Sequence, residues 1–280
     1  MKKIIWINSF PKSGNTWLRY LISNYFYNPD QLLDPKIIKH IPRISIEKYI
    51  DAEYLNKSKI DISDVFKYWQ IHQKEIIKEN QNDFLFIKNH SANVNFNNVH
   101  FTSEELSLAS IYIVRDPRDV VISLSRFYKK NYDQVIHDIL LNKNFLPNIK
   151  NKKNDIEFVS SWEINYRSWQ SDNFLKCPKL IIRYEDLITD CFGTFKRIIL
   201  FLSKILDFDL NENQLNFSVN SSDFNLLKKY EEKGNFDENP SDLPFFFKGQ
   251  SNQWIYELNK NHQELILYQL NDLMAELNYL

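Results

Sequence analysis

Glycine is scarce in this chain of 280 residues, with four in all, at Gly14, Gly193, Gly234 and Gly249. So few exclude a collagen-like or low-complexity architecture, and a glycine standing in a turn then has a backbone reason to be there. Cysteine is scarcer still: Cys177 and Cys191 are the two, with no zinc-like spacing and no sign of a disulfide framework. Net charge is nearly absent, since Lys+Arg 35 against Asp+Glu 36 leaves −1. That balance speaks against a nucleic-acid polymer as partner, while a local basic pocket stays open. No apolar run is long enough to span a membrane, and the N-terminal one is too short for a signal peptide. The expectation is therefore a cytoplasmic protein without membrane insertion. No carboxylates are paired at metal-ligand spacing, and no metal is expected.

What is present is a globular composition, 43% hydrophobic with Phe 21 and Tyr 15. Ile4-Ile5-Trp6-Ile7 has the form of a short buried strand, and Leu18-Arg19-Tyr20-Leu21-Ile22 begins a helical pattern. Between them stands Ser9-Phe10-Pro11-Lys12-Ser13-Gly14-Asn15-Thr16-Trp17. A strand, a tight turn and a helix aim backbone N–H groups and a positive helix end at an anion. Gly14 permits close backbone approach, Lys12 adds a charge, and Ser13 and Thr16 add hydroxyl donors. The lysine precedes the glycine and no second glycine stands upstream, so this is not a Walker A loop. The competing reading of the same residues is a plain helix start, with Pro11 as turn former and Ser13 or Asn15 as cap.

Three more strands follow the same logic. Phe84–Ile87 runs into Lys88-Asn89-His90-Ser91, Ala109–Val114 into Arg115-Asp116-Pro117-Arg118-Asp119, and Leu180–Ile182 into Arg183-Tyr184-Glu185-Asp186-Leu187. Helical patterns separate them, including one with Trp69 as a packing residue and His72 as a packed or surface histidine rather than a ligand. The expected fold class is α/β: a single 1–280 domain with a central parallel sheet flanked by helices in three layers. Ligands of such sheets sit beyond the carboxyl ends of the strands, which is where Lys12, Lys88, His90 and Arg115 fall. Ser123 lies two turns up the helix after Arg115. Arg118 and Asp119 read as surface salt bridges of little worth. Further expectations are a helix start at Thr102–Glu105, a long connection over 129–155 that could act as a lid, and helices over 157–170, 192–208, about 212–219 and 222–233. A last helix is expected to run from 254 towards Met274.

Four of these segments together resemble the sulfotransferases that use 3′-phosphoadenosine 5′-phosphosulfate (PAPS), in their soluble, small-molecule branch. Pro11–Trp17 is similar to that family's 5′-phosphosulfate loop, with Asn15 where threonine is usual. Val114–Asp119 with Ser123 resembles the 3′-phosphate motif, Tyr184-Glu185-Asp186-Leu187 the segment whose tyrosine reaches the adenine, and Phe247-Lys248-Gly249 with Trp254 the segment that closes over the 3′-phosphate. In that last segment Phe247 stands in place of an arginine, and Asn252 in place of a second glycine. Phe224 resembles the residue that stacks on adenine, with Ser222 as a nearby donor. The resemblance implies a P-loop-like fold, PAPS as cosubstrate and 3′-phosphoadenosine 5′-phosphate (PAP) as product. It also implies a small-molecule or glycan acceptor, His90 as general base and Lys88 as a sulfonate-stabilising cation.

The residues support the same chemistry by themselves. Moving a tetrahedral anion in line needs positioning and charge stabilisation more than covalent help. Lys12 and the loop amides can neutralise a leaving phosphate, and His90, directly after a core strand and beside a lysine, can take the acceptor's proton. Trp17 and Tyr184 can flank a purine. Two other readings fit parts of the pattern: a P-loop-type kinase, and a nucleotide-binding homologue without activity. The acceptor pocket is expected from about 30–60, 92–101, 129–155 and 232–247, none of which carries a diagnostic motif; oligomeric state is not legible.

Overall fold

The computed structural model describes residues 2–44, 62–96, 98–145, 157–236 and 244–280. Six strands are found among the described residues: β1 (Lys3–Asn8), β2 (Phe84–Asn89), β3 (Asn95–Phe96), β4 (Val99–His100), β5 (Ser107–Val114) and β6 (Lys179–Arg183). β3 and β4 form a small antiparallel hairpin. The other four make one sheet in the order β2-β1-β5-β6, with every neighbouring pair parallel. The apolar runs become strands because both of their faces are covered. Ile4 and Trp6 pack with Tyr112 and Val114 on one side, while Ile5 and Ile7 pack with Ala109, Ile111 and Ile113 on the other. Side chains alternate across the sheet with period two, so an uninterrupted apolar run serves two cores at once.

The helices are α1 (Asn15–Tyr27), α2 (Ile62–Glu79), α3 (Pro117–Tyr128), α4 (Tyr132–Val135), α5 (Trp162–Gln170), α6 (Tyr184–Thr189), α7 (Cys191–Leu206), α8 (Glu212–Ser221), α9 (Phe224–Glu232), α10 (Trp254–Glu257) and α11 (Lys260–Glu276). One face of the sheet is covered by α2, α3, α5 and α11 around the buried Trp6, Trp69, Trp162 and Trp169. Each such side chain contributes on the order of 2–3 kcal/mol of burial. The other face is covered by α1, α7 and α8. The expected α/β architecture is thus present. Because the chain passes from β1 to β2 and then back across to β5, the crevice between β1 and β5 is a topological switch point, where a ligand is expected.

Several boundaries differ from the sequence reading. Thr102–Glu105 starts no helix: Thr102 Oγ1 pairs with Ser107 Oγ at 2.9 Å and a turn leads straight into β5. The helix expected over 157–170 begins at Trp162, because Ser160 has φ 62 and the amides of Val159 and Ser160 are taken by the Phe145 carbonyl, both at 3.1 Å. Within 129–155, α4 and a single π turn (Ile136–Leu140) bury Val135, Ile136, Ile139 and Leu140, so this stretch packs as core rather than as a lid; 146–156 lie outside the described residues. The last helix is broken into α10 and α11, where Asn259 caps a new start by accepting from the His262 amide at 2.9 Å. Of the irregular stretch 28–60, residues 37–40 form a 3-10 turn, and 45–60 lie outside the described residues.

Candidate active site

The turn after β1 carries its strain openly. Lys12 has φ 67, a left-handed conformation that a side chain disfavours, and Gly14 has φ 99. A Cβ on Gly14 would stand 2.5 Å from Tyr184 Cδ2, so both conformation and space demand glycine there. Asn15 ties the turn to the strand: its Nδ2 donates to the Ile7 carbonyl at 3.0 Å and to Ser9 Oγ at 3.2 Å. The first turn of α1 has no acidic residue and Gly14 gives no side-chain cap, which leaves the helix end able to receive an anion.

Next along the sheet edge, β2 delivers Lys88 and His90. The Lys88 amide donates to the Pro42 carbonyl at 2.8 Å, and Arg43 bridges Lys88 in parallel, so residues 42–43 extend the sheet beyond β2. Nδ1 of His90 lies 2.8 Å from the Ser9 carbonyl and 3.1 Å from Ser9 Oγ. A carbonyl can only accept, so Nδ1 carries the hydrogen and the lone pair sits on Nε2. Asn165 Nδ2 donates to the His90 carbonyl at 2.8 Å, and Tyr112 Oη in turn donates to Asn165 Oδ1 at 2.7 Å. Burial holds the His90 pKa well below 6.5, with the Lys88 charge adding to it, so the ring is neutral at neutral pH.

Burial also lowers the Lys12 pKa to about 7, with Arg115 and Lys88 lowering it further against an opposing Glu231. The Lys12 ammonium stands between two rings, 3.7 Å from the Phe245 centroid and 4.7 Å from that of Phe127. Glu231 positions the aromatic strip by accepting from the amides of Phe245 (2.6 Å) and Phe246 (2.9 Å).

At the end of β5, Arg115 reaches back to the turn: Nη1 donates to the Lys12 carbonyl at 3.2 Å, and Nη2 to the Gln250 carbonyl at 3.1 Å. Its guanidinium lies 4.5 Å from the Tyr184 ring centroid. Arg118 and Asp119 are not surface pairs, contrary to expectation. Arg118 Nη2 bonds Asp116 at 2.6 Å and the Tyr279 carbonyl at 2.7 Å, with its side chain 11% exposed. Buried Asp119 accepts the amides of Asn252 (2.8 Å) and Trp254 (3.0 Å). These two residues anchor the 250–254 strip and the C-terminus onto the start of α3.

The cavity that results lies at the switch point. Its wall holds Lys12, Gly14, Asn15, Thr16 and Trp17 from the turn, Lys88 and His90 from β2, and Arg115 with Ser123 from the β5–α3 unit. Tyr184, Phe224, Lys248 and Gly249 complete the opposite side. Gly249 has φ 61, and a Cβ there would stand 2.7 Å from the Phe224 ring. Ser13 and Ser222 do not line the wall. Ser13 is fully buried, and Ser222 is spent on structure: its carbonyl takes Trp17 Nε1 at 2.8 Å and its hydroxyl takes Asn24 Nδ2 at 3.2 Å. The wall also contains Arg43, from the 30–60 stretch expected to shape the acceptor pocket, and Arg126, Phe127, Tyr128 and Glu157, which lie outside the expected segments. Helical spacing from Ser123 is the available signal for Arg126 and Phe127; nothing comparable points to Glu157.

The profile of the sulfotransferase domain matches residues 2–277. Mouse sulfotransferase 2A1 is 27% identical over 267 residues, covering 91% of this chain and 77% of the relative. Rat sulfotransferase 2A2 is 31% identical over 159 residues, 54% of this chain and 50% of the relative. Among solved structures, mouse sulfotransferase SULT7A1 complexed with PAP superposes with a TM-score of 0.58 at 20% identity, over 98% of this chain and 84% of that one. Retinol dehydratase in complex with retinol and PAP superposes with a TM-score of 0.62 at 15% identity, over 98% and 82%. The fold is the P-loop-like one of these sulfotransferases. By the extent of the domain match, the chain belongs to the sulfotransferase family.

Proposed function

We propose that this protein transfers a sulfuryl group from PAPS to a hydroxyl or amine of a small-molecule acceptor. The observation that carries the reading is the tie between two anion seats: Arg115 Nη1 bonds the Lys12 carbonyl at 3.2 Å, so a cation at the end of β5 and the turn after β1 form one unit. A ligand with phosphate at both 5′ and 3′ positions suits that unit. Two relatives of the fold were solved with PAP, and one of them with retinol, an apolar alcohol. Among the described residues, Arg115 Nε on the cavity wall is buried without a hydrogen-bond partner, which suits a donor that meets a ligand.

In this reading the turn Lys12–Trp17 holds the 5′ end, while Arg115, Ser123, Lys248 and the Gly249 backbone hold the 3′-phosphate. Trp17, Tyr184 and Phe224 hold the base, with Ser222 behind Trp17. Bound PAPS supplies an activated sulfuryl group on a phosphate leaving group. His90 takes the acceptor's proton on Nε2, since Nδ1–H is committed to Ser9. Lys12 and Lys88 offset charge that grows on the leaving phosphate and on the group in transfer; a partly buried ammonium acts strongly there because little water screens it. Burial first, and then the Arg115 and Lys88 charges, lower the Lys12 pKa to about 7 in the ligand-free protein, and a bound anion would raise it. Phe127, Tyr128 and Phe245 give the acceptor an apolar wall beside Lys12.

Thermal shift with PAP against ATP tests the reading. Saturating PAP at about 100 times its Kd stabilises by about 2.7 kcal/mol, a rise of several degrees in Tm. ATP, lacking the 3′-phosphate, gives a much smaller rise. A shift with ATP alone would favour a kinase and overturn the proposal.

A further inference from the structure

Arg126 stands three residues beyond Ser123 on α3, on the same face of the helix and on the same cavity wall. Its guanidinium lies 4.0 Å from the Phe247 ring centroid. Its Nη2 donates to both carboxylate oxygens of Glu257 at 3.2 Å. Glu257 Oε1 also accepts from Lys248 Nζ at 2.7 Å, and Oε2 from Tyr132 Oη at 3.3 Å. Two cations from distant parts of the chain therefore converge on one carboxylate at the cavity rim. Their side chains are 34% and 38% exposed, and pairs so exposed contribute little to stability. A structural staple is a poor explanation for this arrangement. Two cations against one carboxylate leave this part of the outer rim with positive charge in excess.

We propose that Arg126 is a 3′-phosphate ligand of this protein, acting beside Lys248 and Arg115. Phe247 cannot donate a hydrogen bond; its ring instead supports the Arg126 guanidinium by a cation–π contact. Glu257 keeps Arg126 and Lys248 side by side in the ligand-free protein. A guanidinium can meet phosphate oxygens with two parallel N–H donors, which the ammonium of Lys248 cannot do. The inference rests on the PAPS reading above.

Titration of PAP and of adenosine 5′-monophosphate into the wild type, Arg126→Gln, Arg115→Ala and the double variant Arg126→Gln/Phe247→Arg tests it. Arg126→Gln keeps the stem over Phe247 while removing the charge. It should weaken PAP about ten- to hundredfold, the size of a lost charge-assisted bond, and the monophosphate less than about threefold. Phe247→Arg in the double variant should recover most of the loss. If Arg115→Ala is selective for PAP while Arg126→Gln weakens both nucleotides alike or neither, Arg126 has no part in the 3′ site. A raised acceptor KM with unchanged PAP affinity would assign Arg126 to the acceptor instead and overturn the proposal. If Arg115→Ala is itself unselective, the 3′-phosphate reading fails first.

Discussion

At the inner end of the cavity, the turn Pro11–Thr16 is held by near neighbours: Asn15 bonds Ile7 and Ser9 on the preceding strand, and His90 bonds Ser9 from the strand alongside. At the outer rim, the 244–254 strip is held from far away, by Glu231 on α9, by Asp119 on α3 and by the Arg115 guanidinium. The inner groups are buried or closely surrounded, while Phe247 is 46% exposed. The difference separates two jobs. Charges in a poorly solvated corner gain strength in the transition state, which suits catalysis; charges on a wet rim are screened and serve recognition. Changes at the inner end should therefore act on turnover, and changes at the rim on nucleotide affinity.

The largest effect is expected from His90→Ala. Turnover should fall by roughly 10²–10⁴-fold, the usual share of a general base, with PAP affinity nearly unchanged. The His90 pKa is depressed, so the neutral base persists as pH falls below 6.5, and the acid limb of the wild-type rate profile belongs well under that value. An acid limb centred at 6.5, or an affinity loss as large as the turnover loss, would erase the division between the two ends.

Alanine at the two left-handed glycines of the cavity wall makes the sharper comparison. Gly14→Ala forces a Cβ to 2.5 Å from Tyr184 Cδ2 at φ 99, in a corner with no room to yield. It should cost about 2–3 kcal/mol of stability and most of the activity. Gly249→Ala meets the Phe224 ring at 2.7 Å with φ 61, but on a rim that can shift. About 1 kcal/mol is expected there, with PAP weakened and turnover at saturation little changed. Thermal melts and saturation kinetics read both, and equal losses of Tm would contradict the contrast.

Legibility in the sequence follows the same division. The four sheet strands, the anion turn and the Lys88–His90 edge are encoded by patterns a few residues long, and the structure brings them together as expected. Arg118 does pair with Asp116 nearby, but the burial of Arg118 and Asp119 comes from remote segments: Arg118 also bonds Tyr279, 161 residues away, and Asp119 bonds Trp254, 135 residues away. The partner of Arg126 is equally remote, since Glu257 lies 131 residues on. Ser222, expected as a donor to the nucleotide, is instead fully buried off the cavity wall, where its carbonyl accepts from Trp17 and its hydroxyl from Asn24. Short-range physics was readable in these cases; a charge's partner across the fold was not.

Asn15→Thr carries the smallest expected effect and bears most directly on how the inner end is wired. Asn15 Nδ2 has two hydrogens, one for the Ile7 carbonyl at 3.0 Å and one for Ser9 Oγ at 3.2 Å. A threonine hydroxyl has one, so at most one of these two donated bonds survives. Losing a neutral buried bond costs about 1 kcal/mol, or about 2–4 °C in Tm for a chain of this size. Ser9 Oγ then loses the donor that orients it, but His90 Nδ1 keeps its 2.8 Å bond to the Ser9 carbonyl and with it the same tautomer. Turnover should therefore change less than about threefold, because the lone pair on Nε2 is set by the backbone rather than by the hydroxyl. Asn15→Ala, which removes both donors, should double the loss in stability and still spare most of the turnover. A tenfold fall in either variant would mean that the Asn15–Ser9 hydroxyl chain, and not the Ser9 carbonyl, holds His90 ready to take a proton.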